Sequence, residues 1–127
     1  MMNQRVKILP SQFFESKFFK ELKHVHFHVN SVVSEKAFLS SRAEFLRLQC
    51  DTISETAINR KIRQWYTTQI DIDFEIMLGD SRRWNQNVIQ QNLQFEVNNG
   101  QFELRHSNGK VGVLHVCNGL LNFSVSK

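Results

Sequence analysis

Residues 70–76 alternate without a break. Ile70, Ile72, Phe74 and Ile76 fall on one side, and Asp71, Asp73 and Glu75 on the other. Only an extended chain, whose side chains repeat every two residues, sorts them this way. The run therefore predicts a strand with one buried and one wet face, and it obliges the chain to build a sheet whose apolar side something must cover. Lys23–Asn30 alternates too, with His24, His26 and His28 on one face and Val25, Phe27 and Val29 on the other. Further alternating apolar runs lie near 83–90, 93–97, 101–106 and 110–125. Asn99-Gly100 and Asn108-Gly109 suit hairpin turns, because both residue types tolerate positive φ. Asn118-Gly119 interrupts the last run and reads as a bulge.

Something helical must cover that sheet. Residues 11–22 place Phe13, Phe14, Phe18 and Phe19 at a spacing that fits a short helix or turn leading into a strand. Ser31–Gln49 reads as one long helix, opened by Ser31 with Ser34 and Glu35 in its first turn. Its apolar residues (Val33, Ala37, Phe38, Phe45, Leu46 and Leu48) spread around most of the wheel, the pattern of a helix buried on several sides. Thr52 and Glu55 have capping-box spacing ahead of a second helix near 53–63. A long buried helix followed by antiparallel strands predicts an α+β layer architecture.

Composition bounds the rest. The chain has 127 residues, one Pro and five Gly, which fits a single domain over 1–127 with residues 1–20 as an N-terminal lead-in. Eleven of the aromatics are Phe, against two Trp and one Tyr, which points to an apolar interior rather than a recognition surface. Lys and Arg outnumber Asp and Glu by 16 to 12, a mild basicity that favours anionic partners. The basic residues are scattered and the Phe side chains are placed for a core, so nucleic acid is not the expected partner. Cys50 and Cys117 stand far apart, which excludes a disulfide scaffold or zinc ribbon and fits a reducing, cytoplasmic setting. No window is apolar enough to span a membrane, and no apolar stretch follows Arg5 and Lys7 as a signal peptide requires.

Residues 28–47 read HVNSVVSEKAFLSSRAEFLR. His28-Val29-Asn30, Phe38 and the phrase Arg42–Arg47 resemble, at matching separation, the signature of hotdog-fold thioesterases of the 4-hydroxybenzoyl-CoA thioesterase type. QIDIDFEIMLGD (69–80) and the hairpin from Phe102 are similar to later strands of that family. The resemblance implies a hotdog fold, a long central helix wrapped by a five-stranded antiparallel sheet, assembled as a homodimer or homotetramer. It also implies hydrolysis of an acyl-CoA or acyl-carrier-protein thioester without a cofactor or metal. The carbonyl would be polarised by the helix N-terminus at Ser31, Val32 and Val33, with Phe27 and Phe38 lining the acyl pocket.

The family's catalytic Asp is missing: its position holds His24. An imidazole suits a general base at neutral pH, and Glu35 on the helix is the other nominee. His28 and Asn30 stand as catalytic or loop-organising residues. The missing Asp also leaves open a non-hydrolytic hotdog protein that binds an acyl chain or a biosynthetic partner, with a basic nucleic-acid-binding module further behind. His24, His26 and His28 share a strand face in the manner of metal ligands, but no second cluster with ligand spacing follows.

Overall fold

The computed structural model describes residues 8–9, 11–68, 70–79 and 83–126. Its strands are β1 (Ile8–Leu9), β2 (His24–Ser31), β3 (Phe45–Gln49), β4 (Asp73–Met77), β5 (Glu96–Asn98), β6 (Gln101–Arg105), β7 (Val111–Cys117) and β8 (Leu120–Ser126). The helices are α1 (Ser11–Glu15), α2 (Lys17–Glu21), α3 (Glu35–Ser40), α4 (Glu55–Thr68) and α5 (Gln86–Ile89). All eight strands, the two-residue β1 included, join one mixed sheet in the order β1-β2-β3-β4-β8-β7-β6-β5. The pairs β1·β2, β2·β3 and β3·β4 are parallel, and β8 joins β4 antiparallel before the meander back to β5.

This corrects the expected hotdog fold. There is no long central helix among the described residues and no five-stranded antiparallel sheet around one. The segment 31–49 holds two elements. Ser34 caps the short α3 by accepting from the Ala37 amide at 3.0 Å, and Ser41 turns extended to end it. Phe45–Gln49 then alternates, with Leu46 and Leu48 buried and Phe45, Arg47 and Gln49 partly exposed. The apolar residues that spread around one helical wheel are thus the sum of a helix face and a strand face. A parallel pair needs a crossover, and α3 and α4 supply those from β2 to β3 and from β3 to β4.

The strands after residue 93 follow the alternation more closely. Asn99 and Gly100 both take positive φ in the two-residue turn between β5 and β6, as expected. Asn118-Gly119 is also a turn, with Cys117 paired to Leu120 across it, so no bulge is present there. Residues 86–89 form α5 where a strand was expected; the Asn85 side chain accepts from the amides of Asn87 and Val88 and starts that turn. The expected turn at Gly79-Asp80 runs into residues outside the described ones.

One core joins both layers. Phe14, Phe19, Phe38, Ile58, Ile62 and Trp65 from the helices meet Leu46, Phe74, Leu114 and Phe123 from the sheet. The helices contact one another in the series α1·α2, α1·α3, α3·α4 and α4·α5, so they form a single layer on one face. The other face carries the polar half of each alternation. One register row there runs His26, Arg47, Glu75, Asn122, His115 across five strands. Arg47 pairs with Glu75: Nη2 donates to Oε1 at 3.3 Å, Nε lies 2.9 Å from Oε2 without the geometry of a hydrogen bond, and Asn122 donates to the same carboxylate at 3.3 Å. Among the described residues no helix is long and apolar enough to cross a membrane.

Candidate functional site

The residues nominated from the sequence are dispersed. His24 is exposed on the helix-free face of β2. Glu35 begins α3 in the helical layer, where it pairs with Arg60 at 2.9 Å. The sheet lies between them, so they do not share a site. His28 and Asn30 lie in β2, and their side chains are outside the described ones. No helix begins at Ser31–Val33: Ser31 ends β2, and Val32 and Val33 precede the cap of α3. The Val33 amide already donates to Thr52 Oγ1 at 3.1 Å, and Thr52 donates back to the Val33 carbonyl at 2.9 Å. The helix N-terminus expected to polarise a carbonyl here is therefore absent, and of the three amides that of Val33 is engaged. Phe27 packs edge-on against the rings of Phe13 and Phe14 as core. Phe38 is fully buried and meets Phe74 edge-on at 5.6 Å.

Phe38 nevertheless borders the most unusual group in the chain. The Lys61 ammonium lies 5.5 Å from its ring centroid. Lys61 sits on the apolar stripe of α4, four residues after Ala57 and four before Trp65, and is only 4% exposed. Its Nζ donates to the carbonyls of Ser41 at 3.0 Å and Leu39 at 3.4 Å. These are among the last carbonyls of α3 and its cap, which have no partner within the helix. The amine thus closes the end of α3 from a distance.

It forms no ion pair with a carboxylate among the described residues. A buried charge without a counter-ion is expensive, and the protein responds by weakening the charge. Burial alone pulls the Lys61 pKa from 10.5 down to about 8. The contrast with Asn59, two residues earlier, is instructive. Asn59 is also buried, but it donates to the carbonyls of Ile89 and Gln91 and accepts from Arg63 Nε, so its needs are met.

Lys61 lines a cleft of about 580 Å³ between α3, the end of α4 and the entries to β3 and β4. Leu39, Trp65, Ile70 and Ile72 give it an apolar lining, with Ile70 exposed at 68%. Lys23, Arg42 and Glu44 stand around it. Lys23 and Glu44 pair at 3.8 Å, while the exposed Arg42 has no ion pair among the described residues. The cleft therefore combines an apolar body, a buried amine and a free guanidinium. Its size lies within the roughly 300–1,000 Å³ of small-molecule sites.

Sequence reasoning passed over Lys61, yet a signal was there. In the run Ala57, Ile58, Lys61, Ile62, Trp65 it is the one charged residue on an otherwise apolar helical stripe. No family model, no curated protein and no solved structure matches the chain. Among the described residues no group of three or more His, Cys, Asp or Glu is placed to hold a metal ion.

Proposed function

We propose that the chain is a binding domain for a small amphipathic anion, an apolar or aromatic body bearing a carboxylate, held in the α3–α4 cleft. The observation that carries this reading is Lys61: a buried amine without a counter-ion among the described residues, on the wall of an apolar cleft. A ligand carboxylate would supply the missing negative charge in a place where water competes poorly, and Arg42 would face the same charge from the rim. Leu39, Trp65 and Ile72 would take the apolar body. The surplus of basic residues in the chain favours encounter with such ligands. His24 and Glu35 lie on opposite sides of the sheet and the amide of Val33 is engaged, so these residues lend no support to thioester hydrolysis.

Titration calorimetry with 4-ethylbenzoate and its neutral analogue 4-ethylbenzyl alcohol tests the reading. The carboxylate is expected to bind and the alcohol to bind far more weakly. Lys61→Met should weaken the carboxylate by roughly 10- to 100-fold, the usual worth of a hydrogen bond to a charged group. Equal binding of both compounds, or none of either, would refute an anion site here.

A further inference from the structure

The geometry points to a covalent use of the same amine. We infer that Lys61 captures aldehydes or ketones of the ligand class, an apolar or aromatic body with a carboxylate, as an imine on Nζ. This rests on the binding reading above and adds a bond to it.

The hydrogen bonds at Nζ are the first support. A neutral amine has two N–H groups and one lone pair, whereas an ammonium has three N–H groups. Two carbonyls, those of Ser41 and Leu39, accept from Lys61. They satisfy the neutral amine completely and leave its lone pair unused. Among the described residues the ammonium has no third acceptor, and the Phe38 ring lies 5.5 Å away. The site thus accommodates the nucleophilic form without an orphaned donor.

Placement is the second support. Lys61, Leu39 and Ser41 all line the cleft, so the residue that carries the amine and the two that orient it border the space a ligand would fill. A desolvated lysine in an apolar pocket is an activated nucleophile. With its pKa near 8, roughly a tenth of Lys61 is neutral at pH 7, against well under a thousandth for an unperturbed lysine.

The step balances without any oxidant or reductant. The Nζ lone pair attacks the carbonyl carbon, the C=O π pair moves to oxygen, and one proton passes from nitrogen to that oxygen. The carbinolamine then loses its hydroxyl with a second proton as water, and C=N forms. Glu44, on the cleft wall, is the carboxylate available to relay these protons. A protonated imine keeps one N–H, which can stay on Ser41 while the longer bond to Leu39 is given up.

The experiment treats the full chain with 4-formylbenzoate and cyanoborohydride, which reduces an imine to a stable secondary amine, and reads labelled lysines by peptide mass spectrometry. Lys61 is expected to label at least about tenfold faster than the exposed Lys36 at pH 7. An excess of 4-ethylbenzoate should slow Lys61 alone. In Lys61→Arg, which cannot form an imine, the label at this position should vanish while Lys36 still labels at its wild-type rate. Should Lys61 label no faster than Lys36 while 4-ethylbenzoate still binds, the imine is overturned and the binding site stands. Should neither labelling nor binding occur at the cleft, both readings fall.

Discussion

Burying Lys61 gives the fold a pH dependence opposite to that of a paired lysine. Below pH 8 the amine is protonated in both folded and unfolded chains, and the folded chain bears the whole cost of desolvating it. Between about 8 and 10.5 the unfolded chain holds the proton and the folded chain releases it. The unfolded state then binds more protons, so stability rises with pH across that window. The full effect is on the order of 3 kcal/mol. Urea unfolding of the wild type and of Lys61→Met at about pH 7.5 and 9.5 isolates it, because Met does not titrate. The wild type should gain about 2 kcal/mol relative to the variant between those two conditions. A constant difference would mean that Lys61 titrates normally. The position was readable, since a lysine interrupts the apolar stripe of α4. Its partners were not, because Leu39 and Ser41 are brought to it only by packing of α3, twenty residues away in sequence.

At the scale of elements, the cleft depends on how closely α4 lies against the sheet. Gly112 of β7 lies against the Trp65 ring of α4. A Cβ built there would meet the Phe123 ring at 2.5 and 2.8 Å and the Trp65 ring at 3.0 Å. Both rings are fully packed, with Trp65 and Phe123 edge-on at 5.6 Å, so neither can give way cheaply. Gly112→Ala is therefore expected to destabilise the chain by about 1–3 kcal/mol, read from its denaturant midpoint. An unchanged midpoint would show that α4 sits further from β7. Much of this scale was legible. The second half of the alternation at 70–76 became β4 with Phe74 and Ile76 inside, while Ile70 and Ile72 precede the strand and Ile70 is exposed; Asn99-Gly100 became a hairpin turn. The segment 31–49 was misread because a six-residue helix and a five-residue strand, placed end to end, distribute apolar side chains much as one buried helix does. Five residues are too few for period two to outweigh period 3.6 when the flanking residues are apolar as well.

The described residues form a sheet with one helical layer and one open face. Parallel strands are usually covered on both sides, and here their polar residues cover the open side instead. The Arg47–Glu75–Asn122 cluster sits at the centre of that face, bridging β3, β4 and β8 where the parallel and antiparallel halves meet. Glu75→Gln leaves Arg47 without its carboxylate and should cost about 1–3 kcal/mol in denaturant unfolding. A cost near zero would mean that water serves these groups equally well. The fold class escaped the sequence for a topological reason. Strand direction depends on the crossovers, and once 31–49 was read as one helix, the crossover from β2 to β3 was hidden within it.

On the proposed reading, Lys61 is a buried charge awaiting an anion. Nitrogen-detected NMR of the lysine side chain follows its titration directly, in the free protein and with saturating 4-ethylbenzoate. Lys61 should titrate near pH 8 when free and move upward, toward 10.5, when the carboxylate is bound. A free value already near 10.5, or a depressed value that the ligand leaves unmoved, would contradict the account.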